Sequence, residues 1–438
     1  MKRLLGLLLG TALVSLWCPS AGAQEQLQDM IRQAKENDVL ILPNGVFQGN
    51  IVIDKPITIK GSGQTVIEGD GTGNVISITA PHVTLENLAV KHGGLSMSSQ
   101  EEFSGVKVTA SHTLIKDLHV SDVYHGVYLK NADNNEVNHV TIEGMGDKIV
   151  ASQGNGIQII HANNNKIVGN IIAHTRDGIA FDYSEGNITQ KNEISKTRYG
   201  LHYMYSDRNT FDQNIFHNNN GGAAIMTSKD IVLSGNQFLF HDGSQAFGIL
   251  LKSAQSVKIE NNYFFENLRG IYADDSVESH VAGNEFVHNR IGIELWSSAT
   301  YQTFSQNTFT KNTIPFITVG VGETNRWSED GKGNEWGNEF PLLDLDQDGV
   351  GDTPLEFKSS IPKLIQNNEL IYLFLTSPAI SIYEKIQQFL GQQDVMFTDP
   401  FPLMEKQKPI SNSGWYISVL IIGMGIGWFI LRRRKRRA

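Results

Sequence analysis

The chain is organised by a repeated pattern in which one glycine precedes alternating apolar positions. Seven copies start at regular intervals of 22, 22, 22, 26, 22 and 22 residues, at Gly156, Gly178, Gly200, Gly222, Gly248, Gly270 and Gly292. A second series follows intervals of 22, 22, 22, 26, 22 and 23 residues, at Asn170, Asn192, Asn214, Asn236, Asn262, Asn284 and Asn307. Both series gain four residues at the same place, which indicates one physical repeat.

The period and the strand pattern predict an all-β fold. Between residues 38 and 118, short runs of valine, isoleucine and threonine alternate with polar residues and are separated by glycine, asparagine and proline. A period of 22 residues without a helical pattern predicts a right-handed parallel β-helix with about three short strands per rung. Apolar positions one period apart should then stack inside as a ladder of Ile179, Leu201, Ala223, Ile249, Ile271 and Ile293. The asparagine series should form an internal ladder of side-chain amides.

The segments on either side of the repeat predict caps. Residues 24–37 have the apolar spacing of a short amphipathic helix, which we expect to cover the first rung, so that residues 24–313 form the capped β-helix. The repeat ends after Thr313, and residues 314–405 are predicted as a C-terminal cap with an acidic loop and an amphipathic helix from Pro378 to Leu390. Residues 406–414 read as a linker.

Both ends of the sequence predict membrane signals. Residues 1–23 have the positive start, apolar stretch and A-x-A site of a signal peptide. Residues 415–431 are an apolar run that predicts a transmembrane helix, and residues 432–438 carry six basic residues that should stay cytoplasmic. This arrangement predicts a body outside the cytoplasm, anchored in the membrane by a C-terminal helix.

Charge and cysteine content exclude two classes of function. Without the eight basic residues of leader and tail, the chain has 28 basic and 46 acidic residues. The resulting net charge of −18 argues against nucleic acid as a partner. The only cysteine, Cys18, lies in the predicted leader. Cysteine nucleophiles, cysteine metal ligands and disulfides are therefore excluded from the predicted mature chain.

Two methionines and a histidine form a candidate copper site. Met204 and Met226 are 22 residues apart, so they should be neighbours on adjacent strands about 4.8 Å apart. If Leu201 and Tyr203 point inward, His202 and Met204 point outward beside each other. Thioether and imidazole ligands favour Cu(I) over harder ions. The alternative is that the methionine pair packs against a partner protein.

An acidic loop is a candidate calcium site. Asp344, Asp346 and Asp348 alternate before a glycine, and Asp352 occupies the ninth position of a calcium-loop pattern. The twelfth position is Leu355, so the loop is not a complete EF-hand. It is predicted to bind structural Ca²⁺, and the alternative is a solvated acidic turn.

A polysaccharide lyase, hydrolase or epimerase is the main catalytic alternative, since β-helices host many such enzymes. The candidate groups are the Asp274–Asp275 pair, Asp182 with Tyr183, and the Tyr124–Gly126 stretch. A hydrolase needs two carboxylates across the scissile bond, whereas consecutive strand residues face opposite sides. No nucleophile or phosphate-loop motif accompanies these residues, so the sequence predicts a protein that is not an enzyme.

Six stretches of the chain carry a resemblance to one known family. They are DVLILPNGVFQGNIVIDKPITIKGSG, GLHYMYSDRN, GAAIMTSKD, RWSEDGKGNEWGNEFPLLDLDQDGVGDTP, LTSPAI and DPFPLM. They resemble the NosD family of β-helical proteins that mature nitrous oxide reductase, and the resemblance as a whole covers about residues 27–404. The HYMYS segment and the block of residues 327–354 are the most specific. The chain departs from the family pattern at Thr227, where a tyrosine is expected after the second methionine, and in its apolar run at residues 415–431.

The resemblance implies a periplasmic accessory protein without catalytic chemistry of its own. Its implied partners are the ATPase and permease of an ABC transporter, a copper-chaperone lipoprotein and nitrous oxide reductase, whose copper–sulfur centres they help to assemble. The resemblance also favours Cu(I) at His202, Met204 and Met226. A polysaccharide-active enzyme and a docking scaffold without metal stay as alternatives.

Overall fold

The protein is a parallel β-helix of about 12 turns, of the right-handed type. The computed structural model describes residues 23–95, 102–146, 150–320, 324–337 and 342–405. Within them, the strands of successive rungs pair in parallel, as the 22-residue period predicts. The prediction of a β-helix is therefore confirmed.

One face of the solenoid is a sheet of 12 strands, here called the site sheet. Its strands are, in order, Ile51–Ile53, Ile76–Ile78, Ser104–Val108, His125–Lys130, Ile157–Ile160, Asp177–Asp182, Tyr199–Met204, Gly221–Met226, Phe247–Lys252, Arg269–Asp274, Ile291–Trp296 and Ile314–Val319. The last strand extends the β-helix beyond Thr313, where the repeat pattern ends.

The other faces form one continuous sheet of 22 strands. They are joined because two long strands run across both faces and pair with strands of each. Its strands are Val39–Ile41, Gly45–Gln48, Thr58–Lys60, Thr65–Glu68, Thr84–Lys91, Leu114–Ser121, Glu136–Asn138, Thr141–Glu143, Lys166–Val168, Ile171–Ala173, Ile188–Gln190, Glu193–Ser195, Thr210–Asp212, Ile215–His217, Val232–Ser234, Gln237–Leu239, Lys258–Glu260, Tyr263–Phe265, His280–Ala282, Glu285–Val287, Thr303–Ser305 and Thr308–Thr310.

Like residues stack on like residues in the interior. The predicted apolar ladder from Ile179 to Ile293 pairs rung by rung and is buried throughout. A second ladder stacks aromatic rings face to face at centroid distances between 4.6 and 5.2 Å from Phe216 to Trp336. These ladders bury a continuous core that one rung alone could not provide.

The asparagine series forms the predicted internal ladder. From Asn192 onward, each buried side-chain carbonyl accepts hydrogen bonds from the backbone and the amide of the asparagine one rung before, as between Asn192 and Asn214 at 3.0 and 2.9 Å. The ladder continues past Asn307 to Asn334, which bonds the buried carboxylate of Asp399. The turns therefore satisfy their buried polar groups along the axis.

The 26-residue rung accommodates its extra residues without breaking the ladders. A second internal ladder runs through Asn219, Asn267 and Asn289, and His241 takes the place of an asparagine in it. Nδ1 of His241 accepts the backbone N–H of Asn219, and the backbone N–H of His241 donates to Oδ1 of Asn267. Burial lowers the pKa of His241 to about 3, so the ring is neutral. The added residues 242–245 form a turn beside the site sheet, before the strand Phe247–Lys252.

Caps cover both ends of the described solenoid. Helix α1 (Ala23–Gln33) packs on the first rungs and buries Leu27 and Ile31 completely, as predicted. At the other end an antiparallel pair, Leu355–Ser359 and Asp394–Asp399, stacks Phe397 on Trp327 at 3.9 Å. This aromatic plug closes the last rung.

Short helices flank the C-terminal cap. Helices α2 (Ile361–Asn367) and α3 (Pro378–Phe389) are joined by a 3₁₀ segment, Glu369–Phe374, and a second 3₁₀ turn spans Val150–Ser152. An apolar cluster beneath them joins Ile361, Ile365 and Tyr372 to the last two strands of the site sheet. The predicted amphipathic helix ends one residue earlier than expected.

The prediction of a transmembrane helix is wrong for the fold that the structure describes. Across the described ranges, no helix is long and apolar enough to cross a membrane. The longest of them, α3, has 12 residues and spans about 18 Å, whereas a bilayer core measures about 30 Å. Residues 415–431, to which the span was assigned, lie outside the described residues, as do residues 1–22 of the leader and the tail 432–438.

Candidate metal site

The site sheet places the histidine and both methionines on one outer face. Leu201 and Tyr203 are buried in the core, so His202 and Met204 alternate with them and face outward, half-buried. In the strand register, Met204 lies directly opposite Met226. The structure therefore brings the two thioethers to adjacent strands, as the period predicts.

The methionine column lies beside an apolar patch. Along the column, Asp182, Met204, Met226 and Lys252 are register partners on four successive strands. Met226 also packs against a small cluster of Ala224, Phe247 and Leu250. The pair therefore lies where an exposed polar surface meets an apolar one.

An ion pair between the buried Asp177 and the partly exposed Arg198 supports the ring of His202, and no sequence motif indicates it. Asp177 is 2% exposed and binds the Arg198 guanidinium through two hydrogen bonds of 2.8 and 2.6 Å. Its Oδ2 atom also lies 3.1 Å from Nδ1 of His202. Burial raises the pKa of Asp177, but hydrogen bonds from His202 and Arg198 outweigh it, and the net pKa is lowered. The carboxylate therefore stays ionised.

A cleft of about 670 Å³ opens next to these residues. It lies between the site sheet, the inserted turn of the 26-residue rung and the 3₁₀ segment, and aromatic rings line it: Tyr199, Phe247, Tyr272, Trp296 and Tyr372. On its floor, Arg269 bonds the fully buried Glu294 at 2.6 Å. Burial lowers the pKa of Arg269, but the attraction of Glu294 outweighs it and raises the net pKa, so the guanidinium stays charged.

The candidate catalytic residues do not assemble into one site. Asp274 accepts a hydrogen bond from Ser298, and Asp275 accepts one from Ser253. Asp182 lies four strands from Asp274, about 19 Å at the usual strand spacing, which is far beyond the separation that glycosidases use.

Two aromatic residues among the catalytic candidates, Tyr183 and His125, contact neighbouring residues of the fold. Tyr183 stacks between His161 and Tyr205 on the outer edge of the site sheet. His125 is buried and accepts the backbone N–H of Asn155, and burial lowers its pKa to about 4. Neither lies in the methionine column.

The acidic loop gathers three of its four carboxylates. Ligand atoms of Asp344, Asp346 and Asp348 lie within 4.8 Å of one another. Asp352 folds back and accepts the backbone N–H of Leu345 at 2.7 Å. One oxygen of Asp344, Oδ1, is buried without a hydrogen-bond partner among the described residues. That arrangement offers a cation three oxygen ligands, which is the donor chemistry Ca²⁺ prefers.

Fold and site together define a parallel β-helix protein with its candidate site on the outer face of one sheet. Residues 141–339 match the family model of the periplasmic copper-binding protein NosD. A probable ABC transporter binding protein NosD from Stutzerimonas stutzeri is 31% identical over an alignment of 395 residues, which covers 84% of this chain and 89% of that protein. The chain belongs to the NosD family.

A second relative agrees with this assignment, and one solved structure shares the fold. The protein of the same description from Pseudomonas aeruginosa (strain PAO1) is 32% identical over 83% of this chain and 87% of its own length. Among solved structures, an alginate lyase of family PL6 in complex with a trisaccharide superposes with a TM-score of 0.50 at 15% identity, covering 71% of this chain and 86% of the lyase. That likeness shows the β-helical fold alone.

Proposed function

We propose that this protein is an accessory protein that receives and presents Cu(I) for the copper–sulfur centres of nitrous oxide reductase. The observation that carries the proposal is the register of Met204 opposite Met226, with His202 on the same outer face. The description of its family as periplasmic copper-binding proteins supports the same metal. Copper is then a cargo, and the protein performs no catalysis of its own.

The donor set fits a transiently held Cu(I) ion. Thioether sulfur and neutral imidazole nitrogen are soft or intermediate ligands, which favour Cu(I) over Mg²⁺, Ca²⁺ or Mn²⁺. All three side chains are half-buried on the surface of a rigid sheet, so a donor and an acceptor protein can both reach the ion. The proposed donor is a copper-chaperone lipoprotein, and the proposed acceptor is the reductase.

An anaerobic Cu(I) titration against a competing chelator tests the histidine. His202→Ala is expected to weaken Cu(I) binding at least about tenfold, which corresponds to about 1.4 kcal/mol. His217→Ala is the matched control, because His217 has a similar exposure of 28%, against 22% for His202, and hydrogen-bonds a carboxylate on another sheet. Equal affinities in the two variants would contradict the proposed site.

The C-terminal cap carries a surface for the transporter. Helix α3 and the residue that follows it expose four apolar side chains, and the most exposed of them is Phe389 at 90%. The four are Ile382, Ile386, Phe389 and Leu390. Contiguous exposed apolar side chains mark an interaction surface. Two relatives are described as ABC transporter binding proteins, and we propose that this face of α3 binds the permease, which in turn carries the ATPase.

Charged substitutions on this face test the permease contact. Ile386→Asp with Phe389→Asp is expected to abolish co-purification with the co-expressed permease and to leave the melting temperature unchanged, because both side chains are exposed. Gln388→Asp adds a charge at an exposed polar position of the same helix and should preserve the complex. Retention of the permease by the double variant would refute this contact.

We propose that the acidic loop of Asp344, Asp346, Asp348 and Asp352 holds a structural Ca²⁺ ion. Saturating Ca²⁺ should raise the melting temperature of the wild-type protein by roughly 2–4 °C, since a ligand at 100 times its Kd stabilises the fold by about 2.7 kcal/mol. Asp346→Asn with Asp348→Asn should abolish this shift. Asp330→Asn, an exposed aspartate outside the loop, should retain it, and a shift preserved in the double variant would place calcium elsewhere.

A further inference from the structure

The imidazole ring of His202 is held in place from several directions. Oδ2 of Asp177 lies 3.1 Å from Nδ1, and Nη2 of Arg198 lies 3.3 Å from the same atom. The ring of Tyr199 meets the imidazole edge-on at a centroid distance of 5.5 Å. Such contacts restrict both the rotamer and the ring flip of a half-buried histidine.

The carboxylate of Asp177 is itself fixed. It is 2% exposed, and Arg198 neutralises it through a two-point hydrogen-bonded ion pair. The Arg198 guanidinium in turn stacks over Tyr199 at 4.6 Å from the ring centroid. A buried carboxylate is retained only where its ion pair and hydrogen bonds compensate for lost hydration. Here Arg198 supplies two hydrogen bonds to Asp177, and His202 is the third partner.

The contact between Asp177 and His202 selects one tautomer of the ring. A protonated Nδ1 donates to the anionic Oδ2, whereas an unprotonated Nδ1 would set its lone pair against that oxygen at 3.1 Å. The shorter bond of Arg198 Nη2, at 2.6 Å, goes to the carboxylate and not to the ring. The proton therefore belongs on Nδ1, and the lone pair belongs on Nε2.

The other ring nitrogen stays available. Within the described part of the chain, Nε2 of His202 has no hydrogen-bond partner. The supporting carboxylate belongs to the preceding strand, Asp177–Asp182, whereas the methionines lie on the histidine's own strand and on the next one. Three successive rungs thus contribute a carboxylate, an imidazole with a thioether, and a second thioether.

We propose that Asp177 and Arg198 are positioning residues of the copper site, which hold His202 as the Nδ1-protonated tautomer with Nε2 directed to the ion. This inference rests on the proposed function. A ligating histidine commonly donates its second ring N–H to a carboxylate, which fixes the ring and strengthens it as a ligand. The ion pair itself does not touch the copper ion.

Asp177→Asn tests the role of the carboxylate. The substitution keeps the size of the side chain and removes its charge, and we expect Cu(I) affinity to fall about tenfold or more, as for other such supporting residues. Glu193→Gln is the matched control, because Glu193 bonds His217 at 3.2 Å on another sheet and should leave Cu(I) affinity unchanged. Wild-type affinity in Asp177→Asn would overturn the positioning role.

The tautomer of His202 can be measured directly. An ion pair with a merely structural role would not determine it. Two-bond ¹H–¹⁵N spectra of the metal-free wild-type protein, assigned with His202→Ala, should show a protonated Nδ1 and an unprotonated Nε2. The opposite tautomer would overturn the proposal even if Asp177→Asn failed to fold. Arg198→Gln is a second variant, and it should weaken Cu(I) binding in the same direction.

The same titrations distinguish a failure of the copper site from a failure of the positioning role alone. Full Cu(I) affinity in His202→Ala would reject the copper site and the positioning role together. Weakened binding in His202→Ala with full affinity in Asp177→Asn would reject the positioning role alone. Weakened binding in both variants, with the expected tautomer, supports the complete arrangement.

Discussion

Replacing both methionines by alanine is expected to lower the affinity for Cu(I) at least about 100-fold, which corresponds to about 2.7 kcal/mol. Met204 and Met226 are the only sulfur donors in their column, and their register places them on adjacent strands. Without them His202 has no sulfur ligand beside it among the described residues of this face. A single imidazole does not discriminate in favour of Cu(I) as thioethers do.

The double variant must be compared with one that loses a methionine elsewhere. Met145→Ala removes a side chain of similar, intermediate exposure that lies outside the column, and it should bind Cu(I) as tightly as the wild type. The fold of the double variant should persist, because both methionines are only half-buried. Unchanged affinity in Met204→Ala with Met226→Ala would show that these thioethers do not hold the ion.

Removing one ladder asparagine is expected to cost about 3 kcal/mol of the free energy of unfolding, at about 1 kcal/mol for each of three buried hydrogen bonds lost. Asn214 accepts from the backbone and the amide of Asn192, at 3.0 and 2.9 Å, and donates to the carbonyl of Thr189 at 2.9 Å. In Asn214→Ala the backbone N–H of Asn192 loses this acceptor, and the Asn192 amide keeps only its bond to the carbonyl of Ile167. The midpoint of urea unfolding should fall, and amide exchange should accelerate first at the neighbouring rungs.

Asn220→Ala provides the comparison for this stability effect. Asn220 lies in the same region of the chain but is exposed, so its replacement should change the free energy of unfolding by less than about 0.5 kcal/mol. Equal unfolding midpoints for Asn214→Ala and Asn220→Ala would mean that the ladder does not stabilise the β-helix.

The repeat determines the fold because register follows from the period. A separation of 22 residues brings Met204 beside Met226 and Leu201 beside Ala223, and the alternation along each strand decides which of them faces the core. The apolar ladder, the asparagine ladder and the outward direction of His202 were therefore predictable from the sequence alone.

The support of His202 was not predictable in the same way. Asp177 lies one rung before Tyr199 and Arg198 lies outside the alternating strand pattern, so no motif links either residue to the histidine. One signal was present, since an arginine four residues before His202 and an aspartate 21 residues before that arginine share neighbouring rungs. Only side-chain geometry shows that the three groups meet.

The C-terminal cap shows another limit of the sequence pattern. Residues 314–405 were predicted to form a cap, but the hydrogen bond from Trp336 to the buried Asp399, at 2.8 Å, joins residues 63 positions apart. Such pairing depends on tertiary packing and not on a local period. The transmembrane prediction depended on composition alone, and no described helix corresponds to it.

The most direct test of the copper site is an X-ray absorption spectrum, at the copper K-edge, of the protein loaded anaerobically with one equivalent of Cu(I). The proposed site predicts two sulfur ligands and one nitrogen ligand in the wild type, and loss of the sulfur contribution in Met204→Ala with Met226→Ala. A first shell of nitrogen and oxygen alone, or a sulfur contribution that survives in the double variant, would contradict it.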